Sequence, residues 1–316
     1  MPLRIVFCGT PAFALPSLRH LLTQRDFQLE GVITQPDRPR GRGHAVAGSP
    51  VKDAALDAGI AVYQPEKIRS ESAMNYFKRV APDAVVIIAY GQIVPQALLD
   101  IPRLGWINLH ASLLPKYRGA APINWAIVNG ETRTGVTTMQ VNAGLDMGPI
   151  LLTREVGIAS DETAIDLAAR LAEIGAPLVA ETLRNLDCGE ISPEPQDDSQ
   201  ATFAPLLKKE HGRIDWSQPA QAIYNRIRGL QPWPGAFTSF RGKTCQIWGR
   251  PALDANIAAS PGSILSPAIP RGGELAVACG DGTALRLEFL QLEGRKRVTT
   301  REFASGAHLT PSDRFE

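Results

Sequence analysis

Two patterns of apolar residues alternate along the first part of the chain. Short apolar runs bounded by Gly, Pro or polar residues predict strands over 3–8, 28–34, 60–63, 83–89, 106–109, 135–141 and 150–156. Apolar residues at helical spacing predict helices over 12–24, 50–58, 71–80, 121–128 and 161–186. Ser160 is positioned to cap the last of these helices. Strands that alternate with helices predict an open, mostly parallel, Rossmann-like α/β sheet with helices on both faces.

The pattern changes near residue 187. Residues 187–200 are poor in large apolar side chains and rich in Pro, Ser, Asp and Glu, which is typical of a linker. Beyond a helix predicted over 218–228, short β-runs lie between Gly and Pro turns over 237–240, 244–248, 262–265, 274–278 and 284–292. This spacing predicts a small OB-like β-barrel. We therefore expect a domain over 1–189, a linker over 190–207 and a domain over 208–316.

Three polar side chains lie where such a sheet would place a ligand site. Asn108 and His110 alternate on a predicted strand, so they should share one face. Asp146 lies in the glycine-rich segment 144–148, and the loop over 141–149 is expected at the carboxyl ends of the strands, where open sheets bind ligands. Amide, imidazole and carboxylate groups together suit acyl-type transfer, in which an oxyanion develops and a proton moves.

Each of these residues also has a structural interpretation when taken alone. A histidine after a strand is more often structural than catalytic, and Asp146 could simply shape a turn. The combination is more specific than its parts. No GxSxG elbow is present and Cys8 lies within a predicted strand, so direct transfer to an incoming nucleophile is favoured over a covalent acyl-enzyme.

Composition narrows the class of protein. Over 316 residues, a hydrophobic content of 44% predicts a normal packed core, and a net charge of +1 excludes a generally basic protein. The four cysteines show no CxxC pair and no nearby histidine, so neither a disulfide framework nor a metal site is expected and a reducing cytoplasm fits. No apolar run reaches the length of a membrane span or a signal peptide.

A local basic segment remains. Arg38, Arg40 and Arg42 lie among Pro and Gly in a predicted loop over 35–49. A solvated surface loop and a set of phosphate contacts explain this segment equally well. A basic cluster near the end of the chain, at 286, 295–297 and 301, is more simply a solvated surface when taken alone.

Longer segments resemble a known family. NLHASLLPKYRGAAPINWAI, followed by GVTTMQVNAGLDMGPIL, resembles the signature of folate-dependent formyltransferases. Within that superfamily, FCGTPAFALPSL, TQPDRPRGRG, ATFAPLLKKEHGRIDW and NRIRGLQPWPGAF resemble methionyl-tRNA formyltransferases in order and spacing. The resemblance covers nearly the whole chain.

The resemblance implies formyl transfer from 10-formyltetrahydrofolate to the amine of methionyl-initiator tRNA, by a monomer without a metal. Asn108 and His110 would polarise the formyl oxygen, and Asp146 would hold His110 and assist proton removal. The folate would be contacted by two segments, with the residues Ile88, Ala89, Tyr90 and Gly91, and Ser112, Leu113, Leu114 and Pro115. Arg38, Arg40 and Arg42 would contact tRNA.

Three alternatives follow from the same residues. A folate-dependent formyltransferase acting on an amino-sugar nucleotide would share the catalytic set, but the arginine segment and the basic second domain argue against it. An RNA-binding protein with a degenerate catalytic fold would not need Asn108, His110 and Asp146 together. A dinucleotide oxidoreductase is disfavoured because the turn after the first strand, Gly9-Thr10-Pro11, lacks GxGxxG.

Overall fold

The chain divides into two units, each assembled from separate stretches of the sequence. The computed structural model describes residues 1–40, 45–252, 257–265, 275–310 and 312–316. The first unit comprises Met1–Pro122, Arg133–Gly157 and Leu167–Pro205, and the second comprises Ile123–Thr132, Ile158–Asp166 and Leu206–Glu316. The segment predicted as a linker lies partly in each unit, because the boundary falls at Pro205 and Leu206.

The first unit is built on a seven-stranded sheet with the order β5-β2-β1-β6-β7-β8-β9. The strands before the second unit are β1 (Leu3–Gly9), β2 (Phe27–Ile33), β3 (Arg38–Arg40), β4 (Ala45–Ala47), β5 (Val62–Tyr63), β6 (Ala84–Ile88), β7 (Trp106–His110), β8 (Arg133–Gln140) and β9 (Ile150–Gly157). The five neighbouring strands β5, β2, β1, β6 and β7 are parallel, β8 is antiparallel to β7, and β9 is antiparallel to β8. The predicted mostly parallel sheet is confirmed.

The helices in this part of the chain differ in whether a side chain caps their first turn. They are α1 (Leu15–Thr23), α2 (Pro50–Asp57), α3 (Glu71–Val80), α4 (Gln96–Leu99), α5 (Pro122–Val128) and α6 (Ala164–Cys188). Ser49 and Ser70 cap α2 and α3 by accepting hydrogen bonds from backbone amides. The prediction of Ser160 as the cap of α6 is wrong, because Thr163 and Asp166 form a reciprocal pair three residues later.

The two faces of the parallel sheet are covered by different helices. On one face, Cys8, Ile87 and Trp106 pack in a cluster with Phe77 of α3 and with α4. On the other face, Leu109 of β7 packs against Gly175 of α6, where an added Cβ would lie 2.4 Å from the leucine. Since side chains alternate along a strand, Asn108 and His110 point to the same side as Trp106.

Two predictions differ from the structure. Residues 35–49 were expected to be a loop, but β3 and β4 pair as a two-stranded antiparallel ribbon. The loop over 141–149 was expected at the carboxyl ends of the parallel strands. Because β8 is antiparallel to β7, that loop instead begins beside the amino end of β7, where the Val141 amide donates to the Trp106 carbonyl at 2.8 Å.

The second unit contains an antiparallel sheet with the order β10-β11-β14-β13-β12, and β15 also pairs with β14. Its strands are β10 (Phe237–Phe240), β11 (Lys243–Pro251), β12 (Ile264–Leu265), β13 (Leu275–Ala278), β14 (Ala284–Leu292) and β15 (Val298–Thr299). Its further helices are α7 (Ala220–Gly229) and α8 (Thr300–Ala307). The predicted small β-domain is confirmed, whereas α8 was not predicted.

The last residues of the chain connect the two edges of this sheet. Glu316 exchanges backbone hydrogen bonds with Ser239 on β10, at 2.9 and 3.0 Å. One residue earlier, the Phe315 amide donates to the Gly262 carbonyl at 2.9 Å, next to β12. Arg241 donates two hydrogen bonds, of 2.7 and 2.6 Å, to the Asp313 carboxylate. They fix the approach to this segment and hold the pKa of Asp313 well below its usual range. The curled sheet is therefore closed by the segment over 314–316.

Phe315 anchors that closing segment in the core. Its side chain is 1% exposed, and its ring lies 5.2 Å from that of Phe240 and 5.8 Å from that of Trp216. The Phe315→Ala substitution should lower the free energy of unfolding of the second unit by about 3–5 kcal/mol, because it leaves a cavity and releases both edges. Hydrogen exchange of the β11 amides measures this change.

A matched substitution separates burial from loss of an aromatic ring. Trp233 also belongs to the second unit and is 54% exposed, so Trp233→Ala should lower the free energy of unfolding of that unit far less, by about 1 kcal/mol at most. Equal effects of the two substitutions would contradict the closing role of Phe315.

Candidate active site

His110 is held in one orientation by the loop that follows its strand. The ring is 6% exposed, and its Nε2 lies 2.9 Å from the Tyr117 carbonyl oxygen. A carbonyl oxygen can only accept, so Nε2 carries the proton in this hydrogen bond. The other ring nitrogen, Nδ1, faces the Asp146 carboxylate at 3.7 Å. The imidazole therefore lies between a fixed acceptor and an anion.

Asp146 lies on the loop that joins β8 to β9 and begins beside the amino end of β7. Its backbone is left-handed, with φ of +52°, which is uncommon for a residue other than glycine. Its Oδ2 accepts a hydrogen bond of 2.9 Å from the Gly119 amide and is the same atom that faces His110. The loop thus folds back over the face of the sheet and brings the carboxylate to the predicted partner.

Tyr117 and Gly119 are contributors that the sequence analysis did not single out. Gly119 has φ of +121°, and an added Cβ would lie 2.7 Å from the Ala204 carbonyl oxygen, so a side chain has no room there. Both residues lie in the quoted stretch ASLLPKYRGAAP. A glycine two residues after an aromatic residue was the available signal, but main-chain groups that orient a site leave little other trace in a sequence.

Asn108 is the member of the set whose side-chain amide is available to a ligand. Its side chain is half-buried, and within the described residues its amide makes no hydrogen bond to the protein. It lies two residues before His110 on the same face of β7. A free amide beside an oriented imidazole and a carboxylate can donate to a developing oxyanion while the other two groups handle a proton.

The segment Ser112–Pro115 is locked by short hydrogen bonds. The Ser112 hydroxyl donates to the Lys116 carbonyl at 2.6 Å, and the Thr137 hydroxyl donates to the Ser112 carbonyl at 2.6 Å. Ser112 and Leu114 are buried, whereas Leu113 and Pro115 are half-exposed. The Ser112 hydroxyl is therefore engaged in shaping the loop, and Leu113 and Pro115 form the part of the segment that solvent or a ligand can reach.

A cleft of about 810 Å³ opens beside the end of β6. Ala89, Tyr90 and Gly91 line it, whereas Ile88 is fully buried and Ser112–Pro115 are not in its wall. Gln35 organises one side by donating to the Tyr90 carbonyl at 2.9 Å. The volume and the mixture of backbone, amide and charged groups fit an organic ligand of moderate size.

This cleft lies close to the catalytic candidates along the sheet. Ile87 pairs with Asn108 across β6 and β7, and β6 ends one residue later, so Ala89 lies at the same edge of the sheet as His110 at the carboxyl end of β7. Burial raises the pKa of the Tyr90 phenol, which keeps it neutral. Burial also raises the pKa of Cys8 in β1, which makes that thiol a poor nucleophile.

The predicted tRNA contacts are only partly described. Arg38 is exposed and lines the same cleft as Ala89, together with Lys67 and Arg69. Arg40 belongs to β3 by its backbone. Arg42 lies outside the described residues. The structure thus brings Arg38 together with one predicted folate segment.

Each helix of the described residues is too short or too polar to span a lipid bilayer. No group of three or more His, Cys, Asp or Glu side chains that could hold a metal ion occurs among them.

Comparison with known proteins assigns the fold to a family. The family model described as formyl transferase matches residues 3–183, and the model described as formyl transferase, C-terminal domain, matches residues 206–308. Solved structures of similar fold include a sugar 3N-formyl transferase, WlaRD, with dTDP and 5-N-formyl-THF. It is 18% identical with a TM-score of 0.68, over 94% of this chain and 100% of that one.

A second structure of similar fold is HypX from Aquifex aeolicus in complex with tetrahydrofolic acid. It is 18% identical with a TM-score of 0.64, over 96% of this chain and 47% of that one. At this level of identity, both structures support the fold alone.

Curated relatives are much more similar to this chain in sequence than these two solved structures are. The methionyl-tRNA formyltransferase of Solibacter usitatus is 54% identical over 313 residues, covering 99% of this chain and 98% of the relative. That of Koribacter versatilis is 51% identical over 313 residues, covering 98% of both chains. With both formyl transferase models matched and this identity extending over nearly the full length, the chain belongs to the methionyl-tRNA formyltransferase family.

Proposed function

We propose that this chain transfers the formyl group of 10-formyltetrahydrofolate to the free amine of methionyl-initiator tRNA. The observation that carries the proposal is the convergence of Asn108, His110 and Asp146, with the His110–Asp146 contact at 3.7 Å. Relatives near half identity bear this activity in their names, whereas the sugar N-formyltransferase is only 18% identical. The amino-sugar nucleotide alternative is therefore disfavoured.

The folate site is proposed at the cleft and the neighbouring loop. The backbone of Ala89, Tyr90 and Gly91 would line the pterin pocket, with Ile88 as its buried support. Leu113 and Pro115 would supply apolar contacts, held in place by the buried Ser112 and Leu114. When bound, 10-formyltetrahydrofolate supplies the formyl carbon that the amine attacks.

Asn108 would stabilise the charge that develops on the formyl oxygen. As the amine nitrogen bonds to the formyl carbon, the carbonyl electron pair moves to oxygen. The Asn108 amide is free to donate to that oxygen, and fixed donors of this kind are each worth about 2.7–4 kcal/mol of barrier. A deprotonated amine is already a good nucleophile, so no covalent enzyme intermediate is required.

His110 and Asp146 would move the proton. The attacking nitrogen must lose one proton, and the departing folate nitrogen must gain one. Because Nε2–H is bound to the Tyr117 carbonyl, Nδ1 is the nitrogen that can accept a proton. The Asp146 carboxylate stabilises the resulting imidazolium, whose Nδ1–H can meanwhile donate to the oxyanion. Return of the proton to the departing nitrogen restores the ring.

Recognition of the RNA is assigned to other parts of the chain. Arg38, Arg40 and Arg42 would contact phosphates of the tRNA acceptor stem.

We propose a catalytic domain over 1–189, a linker over 190–207 and a tRNA-binding domain over 208–316. The three catalytic candidates all lie in one unit, so the catalytic set needs no residue from a second copy. We propose a monomer that acts in translation initiation in the cytoplasm.

The substrate is tested by direct comparison. Purified protein with 10-formyltetrahydrofolate should formylate methionyl-initiator tRNA, and should give no product with amino-sugar nucleotides at matched concentration. Mass spectrometry of the products measures both reactions. Formylation of the sugar alone would replace the proposal with its alternative. Folate binding without transfer to either acceptor would favour a degenerate fold.

The catalytic roles predict a split between turnover and affinity. His110→Ala and Asp146→Asn should each lower kcat by about 10²-fold or more, since they remove the proton carrier or its stabilising anion, with little change in KM. Steady-state formylation over a range of substrate concentrations measures kcat and KM. His20→Ala and Asp57→Asn, on α1 and α2, serve as controls and should leave turnover unchanged. Near-normal turnover of either catalytic variant would refute the assigned roles.

The arginine segment predicts a salt effect. Arg38→Ala should weaken tRNA binding and reduce the slope of log K against log salt by about 1, because one phosphate contact and its released counterion are lost. Filter binding across a salt series measures the slope. Arg19→Ala, an exposed arginine on α1, is the matched control. An unchanged slope for Arg38→Ala would remove this residue from the interface.

A further inference from the structure

One glutamine spans the loop that carries Asp146. The side-chain nitrogen of Gln196 donates to the Asp146 carbonyl at 2.9 Å and to the Gly148 carbonyl at 2.6 Å. An amide nitrogen has two hydrogens, so both bonds can form at once. The same segment is held against the sheet two residues earlier, where Glu194 and Ile150 exchange backbone hydrogen bonds of 2.8 Å. Gln196 therefore clamps the loop on both sides of Met147.

Arg118 fixes the direction of that amide. Its Nε and Nη2 donate to the Gln196 Oε1 at 3.0 and 2.8 Å. A guanidinium group has only donors, so the oxygen of Gln196 must face Arg118 and the nitrogen must face the two carbonyls. Arg118 is 2% exposed, and its Nη2 also donates to Asp198 at 2.7 Å. The amide is thus fixed by a buried charge.

Arg118 also belongs to the loop that orients His110. Its neighbours Tyr117 and Gly119 provide the carbonyl for His110 and the amide for Asp146. The Arg118 backbone is bound on both sides, with its amide donating to the Thr202 carbonyl at 2.9 Å and its carbonyl accepting from the Ala204 amide at 2.7 Å. The Arg118–Gln196 pair therefore joins the loop that orients the imidazole to the loop that carries the carboxylate.

The conformation of Asp146 explains why such a clamp is needed. A left-handed backbone at a residue other than glycine persists only where surrounding contacts hold it. We propose that Gln196, oriented by Arg118, is a positioning residue that sets the contact between Asp146 and His110. This inference rests on the proposed formyl transfer for its consequence in turnover.

Two substitutions at Gln196 test the inference. Gln196→Glu keeps the shape of the side chain but sets a carboxylate oxygen against two carbonyl oxygens, and Gln196→Ala removes the clamp. Both should lower kcat by about 10- to 100-fold, because a shift of about 1 Å in a catalytic group has an effect of this size. The KM values for folate and methionyl-tRNA should stay within about twofold, since the hydrogen bonds of Gln196 to Asp146 and Gly148 are not contacts with substrate.

A second readout does not depend on activity. The Gly119 amide donates to the Asp146 carboxylate, so its hydrogen exchange should become faster in both variants as the carboxylate moves. Gln200→Ala is the matched control. Gln200 lies on the same segment and is exposed, and among the described residues its side-chain amide donates to Asp197 alone, so both kcat and the Gly119 exchange rate should stay normal.

The results distinguish failure of the Gln196 inference from failure of the proposed formyl transfer. Normal kcat in Gln196→Glu with an unchanged melting temperature would overturn the inference. A loss of kcat that follows a lower melting temperature, with Gly119 exchange unchanged, would overturn it too, because the role would then be only structural. If the unmodified protein transfers no formyl group, the proposed function fails, and the Gly119 exchange rate still decides whether Gln196 holds Asp146.

Discussion

The site depends on holding an imidazole and a carboxylate in contact although His110 ends β7 and the loop with Asp146 leaves β8 beside the opposite end of β7. His110 lies at the carboxyl end of that strand, and the loop carrying Asp146 begins beside its amino end. An antiparallel partner strand makes this unavoidable. The loop must cross the face of the sheet, so its position cannot come from the sheet edge and must come from added contacts. The Gly119 amide and the Gln196 side chain provide these contacts.

The same requirement explains the densely bonded loop after β7. Ser112, Thr137 and Lys116 close its first turn through short hydrogen bonds, and residues 202–204 bind its second part. Such a loop has little freedom to adjust when a ligand arrives. Donors and acceptors that are already in place need no reorganisation as charge develops, which is where electrostatic catalysis gains most. Rigidity here is therefore a condition for direct transfer without an enzymic nucleophile.

Sequence reasoning predicted the parts of the structure that depend on residues close together in the sequence. Helix α3, over Glu71–Val80, was predicted to the residue from its apolar spacing, and the structure adds that Ser70 caps it. Asn108 and His110 were assigned to one face because alternation along a strand is a local property. The direction of β8 was missed, since a strand of given composition pairs in either direction. Gln196 was missed as well, because it lies in a polar segment whose composition is typical of a linker.

That polar segment shows how composition can mislead about function. Pro, Asp, Ser and Gln favour an exposed chain without regular structure, and most of residues 190–202 are indeed exposed. Yet the few inward groups of this segment meet main-chain carbonyls and a buried guanidinium, which only polar side chains can satisfy. An apolar residue at 196 would leave both carbonyls of the Asp146 loop and the Arg118 charge without this partner. The polarity that predicts a linker is thus also what a clamp on a catalytic loop requires.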